Sequence, residues 1–251
     1  MLPNTLRKIV LSMIYNAQSG HIGGSFSIAE TIAYLFNNYK FVNDKQHDIL
    51  ILSKGHAAPI LYAALYLDNK IDENELKTFR EINSRLEGHP VKNKIPEVFA
   101  TTGSLGQGLS IAVGHAIAKK MLNLSGKVFC IIGDGELQEG QIWETLVFLN
   151  SYPLDNLYIL LDNNGAQNDG LTKQFKNLNY ILREFNFEWS ELNGNDIKEL
   201  EYITNMNNNK TKFITLQTIK GYGVSFMQTP EWHGKIPNKD EYERAMNELS
   251  N

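Results

Sequence analysis

The chain has 251 residues, of which 42% are hydrophobic and 21% are charged, and its formal net charge is −4. This composition is typical of a globular protein with a sizeable core and excludes a wholly disordered chain. The apolar runs, such as those at 128–132 and 157–161, are far shorter than the roughly 20 residues that cross a bilayer. We therefore expect no membrane span, and the absence of a basic patch argues against a nucleic-acid partner.

Cysteine usage and the N-terminus bear on the compartment. Cys130 is the single cysteine, so the chain has neither an internal disulfide nor a multi-cysteine metal site. The first residues lack the apolar stretch and cleavage site of a secretory leader. These features predict a cytoplasmic protein.

Hydrophobic spacing predicts alternating helices and strands. Helices are predicted at 6–14, 28–36, directly after His56, at 109–122, 139–150, 175–185 and 197–205, and at the C-terminus. Strands are predicted at 48–52, 127–132, 157–161, 187–189 and 212–218. Ser25 or Ser27 is predicted to cap the second helix. The glycine-rich segment 19–25 is predicted as a loop, and segment 80–105 as irregular.

The alternation itself indicates the fold class. Several of the predicted strands are apolar along their whole length, as strands covered on both faces are. We therefore expect an α/β protein with a doubly wound, mainly parallel sheet and helices on both faces. Without an internal repeat or an evident linker, residues 1–251 are predicted to form a single domain.

Two strand ends carry the strongest chemical signal. One predicted strand ends in Gly133-Asp134-Gly135, and the next ends in Asp162-Asn163-Asn164-Gly165. One helix separates them, so their carboxyl ends should lie side by side, at the edge where open α/β sheets bind ligands. Oxygen ligands from Asp134 and Asn164 suit Mg²⁺, and the glycines let backbone N–H groups approach a phosphate. The pattern predicts a metal–diphosphate site without a P-loop lysine.

Histidines provide the second signal. Four of the six lie in predicted loops next to a glycine, namely His21, His56, His89 and His233. Such imidazoles can donate to hydroxyls and phosphates and can move protons near neutral pH. Zinc binding is an alternative role for these histidines, but the sequence has no His-x-x-x-His pair and only one cysteine. His47 and His115 are interpreted as structural or surface residues.

These motifs together resemble the N-terminal, diphosphate-binding half of transketolase, a thiamine-diphosphate enzyme. The resemblance covers about residues 6–238. It rests on five ordered motifs: Ser19-Gly20-His21-Ile22-Gly23, Ser53-Lys54-Gly55-His56-Ala57, Gly88-His89-Pro90, the run 101–108 (TTGSLGQG) and the run 133–140 (GDGELQEG). The last begins the thiamine-diphosphate signature, which ends near Asn164.

The resemblance implies a role for each matching residue. It implies that Mg²⁺, or Ca²⁺ or Mn²⁺ in its place, is bound by the side chains of Asp134 and Asn164 and by the carbonyl of Ala166. It implies that the cofactor is held by His56, Gly103, Leu105, Gly133, Asp134, Gly135, Glu139, Asn164 and His233. In the family the acid matching Glu139 couples the two halves of a dimer. The implied catalytic residues, which orient the substrate and move protons, are His21, His89 and His233.

Two substitutions and one absence set the chain apart from the family pattern. Ile22 stands where the family often has proline, and Ala166 replaces a bulkier residue that packs on the thiazolium ring, which predicts weaker cofactor binding. The pyrimidine-binding and C-terminal domains of full-length transketolase have no counterpart in this sequence. The resemblance therefore implies one subunit of a split transketolase, which needs a C-terminal partner chain in a heterotetramer.

The implied reaction is ketol transfer between a ketose and an aldose, on sugar phosphates, with thiamine diphosphate as electron sink. Two alternatives stay open at this point. One is half of a deoxyketose-phosphate synthase, against which the Leu-Gln-Glu-Gly run and the histidine set argue. The other is a module that binds thiamine diphosphate without turnover. A Mg²⁺-dependent phosphohydrolase lacks a second acidic ligand or a suitably placed nucleophile.

Overall fold

The computed structural model describes residues 1–172, 177–206 and 208–250. The strands are β1 Ile49–Leu52, β2 Val128–Gly133, β3 Leu157–Asn163, β4 Ala166–Gln167, β5 Gly170–Leu171, β6 Glu188–Asn193 and β7 Lys212–Gln217. The helices are α1 Pro3–Ala17, α2 Ile22–Phe26, α3 Ala29–Asn38, α4 Ala58–Leu67, α5 Glu73–Leu76, α6 Gln107–Met121, α7 Gly140–Ser151, α8 Leu178–Arg183, α9 Ile197–Leu200, α10 Tyr202–Asn205 and α11 Lys239–Glu248.

Five parallel strands form the main sheet, in the order β1-β2-β3-β7-β6. Strands β1 and β2 are buried along their whole length, and β3 is buried except at its last residue, Asn163. This pattern fits strands that are covered on both faces. The parallel sheet and the strand positions confirm the predicted fold class. All five carboxyl ends point to one edge, and β2 and β3 are neighbours, as the βαβ interpretation predicted.

Side chains on the two faces of the sheet enter two separate cores. Alternate residues of the strands, such as Phe129 and Leu160, pack with α1, α3 and α4. Their neighbours in the chain, such as Cys130 and Leu161, pack on the opposite face with α6, α7 and α8. Because successive strand residues point to opposite faces, a continuous apolar run serves both cores. Helices on both faces confirm the doubly wound arrangement.

The prediction of a loop over the glycine-rich segment 19–25 is wrong in part. Residues 22–26 form the short helix α2, all five residues of which are buried. A Cβ on Gly23 would lie 2.9 Å from the carbonyl oxygen of Trp232, so the close packing of this helix requires glycine there. Local sequence could not reveal this contact, since Trp232 lies far along the chain.

The predicted serine cap of α3 is also wrong. No side chain caps this helix, whose N-cap residue is Ile28. Ser25 donates instead to the carbonyl of His21, and Ser27 donates to the carboxylate of Asp162, 135 positions away. Both hydroxyls are therefore committed to neighbours other than the start of the helix.

Smaller differences concern the second half of the chain. The helix predicted at 197–205 is divided into α9 and α10, and the strand predicted at 187–189 extends to Asn193. The β4–β5 hairpin was not predicted. The helix predicted at 175–185 is observed at 178–183, and its first residues fall partly outside the described residues. In the described part of the chain, no helix is both long and apolar enough to cross a membrane. The single domain and the cytoplasmic location stay predictions.

Candidate functional site

A cleft of about 310 Å³ lies at the carboxyl edge of the sheet. Residues that follow four of the strands form its floor: Lys54 after β1, Asp134 after β2, Asn164 after β3 and Lys220 after β7. Open α/β sheets bind ligands at this edge. We call this part of the cleft, together with Asp162 beneath it, the inner end.

Asp162, at the end of β3, organises the inner end. Its carboxylate is fully buried and forms an ion pair with the ammonium group of Lys54. It also accepts hydrogen bonds from the hydroxyls of Ser27 and Thr218 and from the side-chain amide of Asn164, the last at 2.8 Å. Burial alone would raise the pKa of Asp162, but the charge of Lys54 and these hydrogen bonds hold it below its usual value. Asp162 is therefore a buried anion with several partners.

The side chain of Asn164 is oriented by this network. Its Nδ2 donates to Asp162, so its Oδ1 points the other way and accepts from the backbone N–H of Ala166 at 3.1 Å. Asp134 lies beside it, since Oδ2 of Asp134 accepts from the backbone N–H of Gly165 at 2.7 Å. The structure thus brings Asp134 and the segment 164–166 together, as the strand ends predicted.

Lys220 joins this group from the loop after β7. Its Nζ donates to the carbonyl of Ala166 at 3.1 Å and lies 2.9 Å from Nδ1 of His233. Burial and the nearby charge of Lys54 lower the pKa of Lys220 to about 8, so it is mostly protonated at neutral pH. Because an ammonium group only donates, Nδ1 of His233 is the acceptor, and Nε2 carries the proton.

The oxygens at the inner end fit a divalent cation. Asp134 offers a carboxylate, Asn164 an amide oxygen and Ala166 a carbonyl, which are the hard ligands that Mg²⁺ prefers. The carbonyl of Ala166 has two lone pairs, so it can accept from Lys220 and still bind a cation. Burial and repulsion from Asp162 raise the pKa of Asp134, and a bound cation would relieve this repulsion.

The backbone amides of Gly133 and Gly135 are already engaged. Gly135 donates to Oδ1 of Asp134 at 2.8 Å, and Gly133 donates to the buried carboxylate of Glu136 at 3.2 Å. Glu136 also accepts from the N–H of Gly106 and from the hydroxyl of Ser53. Glu136 thereby ties the ends of β1 and β2 to the loop before α6. Both amides therefore already have acceptors within the chain.

Four histidines from loops, His21, His56, His89 and His233, form one group, which we call the histidine cluster. The ring of His21 lies 5.4 Å from that of His56, 5.2 Å from that of His233 and 6.3 Å from that of His89, measured between centroids. The rings of His56 and His233 are 5.0 Å apart. His56 and His233 line the inner end of the cleft, whereas His89 lies on the far side of His21. The family resemblance implied one shared site for His21, His89 and His233, and the structure brings their rings together; their catalytic roles stay predictions.

All four imidazoles are neutral at pH 7. Burial, with the charge of Arg80 next, lowers the pKa of His21 to about 4. Burial and Lys220 lower that of His233 to about 3, and burial and Lys54 lower that of His56 well below its usual value. Burial and Arg80 also lower the pKa of His89. The cluster therefore offers neutral N–H donors and weak bases rather than imidazolium charges.

Glycines allow the backbone to approach closely beside two of the imidazoles. A Cβ on Gly55, which precedes His56, would lie 2.7 Å from the carbonyl carbon of Thr102. Gly103 has φ of +131°, and a Cβ there would lie 2.7 Å from the ring of His89. Gly103 lines the cleft together with Leu105 and the exposed Glu139, so the remaining predicted cofactor residues face the same space.

Comparison with known proteins identifies the family. The model of the domain described as "Transketolase, thiamine diphosphate binding domain" matches residues 1–250. The chain belongs to the transketolase family. It is 40% identical to one of the subunits of the apulose-4-phosphate transketolase of Actinobacillus succinogenes, over 97% of this chain and 92% of that protein. It is 36% identical to a 6-deoxy-6-sulfo-D-fructose transketolase subunit of Clostridium sp. strain MSTE9, over 90% of this chain and 86% of that protein.

Solved transketolase structures have the same fold over this part of their length. The transketolase of Leishmania mexicana superposes with a TM-score of 0.94 at 26% identity. The superposition covers 99% of this chain but only 41% of that one. The chain therefore corresponds to the thiamine-diphosphate-binding domain of transketolase and spans about two fifths of the full-length enzyme.

Sequence analysis missed several charged residues that lie in the cleft or beneath it. It assigned no role to Lys54, Glu136, Asp162 or Lys220, although all four lie next to predicted strand ends or in quoted motifs. A polar residue at the carboxyl end of an apolar strand was the available signal. Ile22, in contrast, is readily explained, because it occupies the first position of α2, where proline is also compatible with a helix.

Proposed function

We propose that this chain is the thiamine-diphosphate-binding subunit of a split transketolase. With a partner chain, thiamine diphosphate and Mg²⁺, it would transfer a two-carbon ketol unit from a ketose to an aldose, with sugar phosphates as substrates. The observation that carries this proposal is one cleft lined by the oxygen ligands of Asp134, Asn164 and Ala166 and by two members of the histidine cluster, His56 and His233, against which the ring of His21 packs.

The relatives support a division of the enzyme between two chains. Two of them are named as subunits, and this chain matches 92% and 86% of their lengths. Such a name implies that a further chain completes each of those enzymes. We propose that the partner of this chain is the C-terminal half of a split transketolase. The proposed assembly is a heterotetramer with two copies of each chain, since closed two-fold symmetry is the commonest arrangement.

The donor set at the inner end suits the cofactor's diphosphate and its cation. Asp134, Asn164 and the carbonyl of Ala166 would hold Mg²⁺, and Lys220 and His56 would donate to phosphate oxygens. When bound, thiamine diphosphate supplies a nucleophilic carbon and acts as the electron sink for the two-carbon unit. A negative charge there would also raise the lowered pKa values of Lys220 and His56.

The histidine cluster would serve the substrate. A low pKa keeps an imidazole neutral at pH 7. The N–H of the neutral ring can then donate a hydrogen bond to a carbonyl oxygen that gains negative charge. His233 is held with its Nε2–H available, since Nδ1 accepts from Lys220. Nδ1 of His21 is buried and has no partner among the described residues, so a bound hydroxyl could satisfy it. We assign His21, His89 and His233 to orienting the substrate and moving protons.

Reconstitution tests the proposal. The chain is mixed with the protein encoded by a neighbouring reading frame that resembles the C-terminal half of transketolase, and transfer from a ketose phosphate to an aldose phosphate is measured. We expect transfer only when both chains, thiamine diphosphate and Mg²⁺ are present. Cofactor binding without any transfer by the mixture would instead indicate a binding module without turnover.

Two histidine variants provide a matched comparison in that assay. His21→Asn is expected to lower kcat by about 100-fold, in the range for loss of a proton-transfer group. His47→Asn changes a histidine beside Asp44 in a loop outside the cleft, and we expect it to leave kcat unchanged. Equal rates for the two variants would remove His21 from the proposed mechanism.

A further inference from the structure

A second cavity, of about 530 Å³, lies near the amino end of β1, whereas the cleft lies at the carboxyl edge of the sheet. It lies between segment 92–99, the second half of α6 and residues 43–45, and we call it the side cavity. Within the described residues, the two cavities have no lining residue in common. Ligand pockets in proteins measure about 300–1,000 Å³, so the side cavity has room for a small molecule that the proposed function does not involve.

The wall of the side cavity is largely apolar, with side chains from Ile49, Ile95, Val98, Phe99, Leu122 and Leu124. Ile49, Ile95 and Val98 are buried, whereas Leu122, directly after α6, is 64% exposed. Exposed apolar surface beside a concave apolar wall is typical of a binding site, because covering it removes apolar area from water. The wall therefore favours a ligand with an apolar chain or ring.

The polar side of the cavity is cationic. Among the described residues that line it, Lys45, Lys92 and Lys119 carry positive charge, and Asp44 is the one acid. The carboxylate of Asp44 is 3.4 Å from Nδ1 of His47, which does not line the cavity. Within the described part of the chain, the ammonium groups of Lys45 and Lys92 have neither an ion-pair partner nor a hydrogen-bond acceptor. The charge balance therefore favours an anion.

Lys119 brings a buried positive charge to the same space. Its ammonium group donates to the backbone carbonyls of Lys45, His47 and Ser125 at 2.7, 2.8 and 2.8 Å. These carbonyls satisfy its hydrogens, but they do not neutralise its charge. The carboxylates of Asp48 and Asp44 act on it from beyond ion-pair distance. A buried cation without a paired carboxylate is costly, and a bound anion would offset that cost.

His115 lies between the apolar and the cationic sides. Its ring centroid is 6.5 Å from that of Phe99. Burial, with the charge of Lys92 next, lowers the pKa of His115, so the imidazole is neutral at pH 7. The neutral ring adds no charge to the cavity and extends its aromatic surface. Because this ring lines the cavity, its NMR signal reports on whatever occupies it.

We propose that the side cavity binds a small carboxylate that carries an apolar chain or ring. The carboxylate would lie beside Lys92 and Lys119, and the apolar part would pack on the wall that includes Phe99 and Leu122. Charge-assisted contacts would hold one end of the ligand, and removal of apolar area from water would hold the other. The proposal does not depend on the proposed function.

Calorimetry on the full chain tests both parts of this chemistry with octanoate, hexanoate and octan-1-ol as probes. We expect octanoate to bind saturably. Hexanoate should bind about 10-fold more weakly, because it buries two fewer CH₂ groups. Octan-1-ol should bind at least about 3-fold more weakly than octanoate, because it lacks the charge. Octanoate that does not bind saturably, or octanol that binds as well as octanoate, would overturn the proposal.

Three variants test the position of the ligand. Lys92→Gln should weaken octanoate binding by about 3- to 5-fold and leave octanol binding unchanged. Lys94→Gln is the matched control, since Lys94 pairs with Glu87 at 3.3 Å and does not line the cavity, and it should change neither. Ala118→Trp, at an exposed position of α6 that lines the cavity, should abolish binding of both probes by filling the space. Equal effects of the two lysine variants, or full binding by Ala118→Trp, would overturn the proposal.

Proton NMR locates the bound octanoate. The C2–H signal of His115, identified by its loss in His115→Asn, should shift on saturation more than the signals of the histidine cluster. A shift confined to the histidine cluster would place octanoate in the cleft and overturn the proposal.

The calorimetry is then repeated on the complex of this chain with its partner chain. Retained octanoate binding supports a ligand site. Binding that is lost on assembly would mean that the partner covers the side cavity, and the proposal of a small-molecule site would fail.

Discussion

The inner end of the cleft and the histidine cluster hold their polar groups in different ways. At the inner end, charged groups are paired, and the buried carboxylate of Asp162 has partners on four segments of the chain. In the histidine cluster the imidazoles are neutral, and Nδ1 of His21 is buried without a partner within the described residues. The difference suggests that the inner end is rigid before any ligand binds, whereas the histidine cluster keeps its hydrogen bonds for the substrate.

The largest effect is expected from breaking the charged network. Asp162→Ala would leave the ammonium of Lys54 buried and unpaired, and we expect the free energy of unfolding to fall by about 3–5 kcal/mol. Urea-induced unfolding measures this fall in the free energy of unfolding. Asp155→Ala is the control, because it breaks an exposed ion pair with Lys120 and should cost less than about 1 kcal/mol. Similar losses for both variants would mean that the inner end is not held by its buried anion.

A smaller effect is expected from the pH dependence of the histidine cluster. The pKa of His21 is about 4 in the folded chain and 6.5 in the unfolded chain, so the unfolded state binds more protons between these values. The free energy of unfolding should therefore fall as the pH is lowered from 6.5 toward 4.

Urea unfolding of wild type and His21→Asn at pH 7 and pH 5 checks the sign. We expect the wild type to lose about 1 kcal/mol more than the variant, after allowance for the partial exposure of the ring. The other three histidines of the cluster contribute to the pH dependence of stability in both proteins, so the comparison isolates His21. A wild type that became more stable at pH 5 would contradict the description of the cluster as neutral.

The smallest effect concerns the side chain of Ala166, at the inner end of the cleft. The family resemblance predicts that the small side chain leaves cofactor surface uncovered. Ala166→Leu should tighten thiamine-diphosphate binding by a few-fold, consistent with about 1 kcal/mol for the added apolar contact. Calorimetry measures the change, and Ala118→Leu, on the exposed surface of α6, is the control. Weaker binding by Ala166→Leu would show that the side chain does not face the cofactor ring.

What the sequence could predict follows from the range of the interactions involved. The apolar strands, their polar ends and the glycine neighbours of the histidines are local patterns, and they predicted the sheet and the convergence of Asp134 with Asn164. Residue Asp162 was missed as an organising group because its partner Lys54 is 108 positions away. The predicted serine cap of α3 was wrong for the same reason, because the hydroxyl of Ser27 donates to that carboxylate instead.

The contacts of Lys220 were hidden for a further reason. Lys220 lies in a segment without regular secondary structure, so its neighbours are fixed by packing rather than by a periodic pattern. That its ammonium group reaches the carbonyl of Ala166 and Nδ1 of His233 could be recognised only with these segments placed together.

The central claim is that a divalent cation on Asp134 and Asn164 anchors the diphosphate of thiamine diphosphate. It is tested most directly by titrating thiamine diphosphate into the assembled protein by calorimetry, with and without Mg²⁺, for wild type, Asp134→Ala and the control Asp155→Ala. The account predicts that Mg²⁺ strengthens binding by at least about 10-fold in wild type and in Asp155→Ala, and has no effect in Asp134→Ala. Equal binding and an equal response to Mg²⁺ in all three proteins would contradict it.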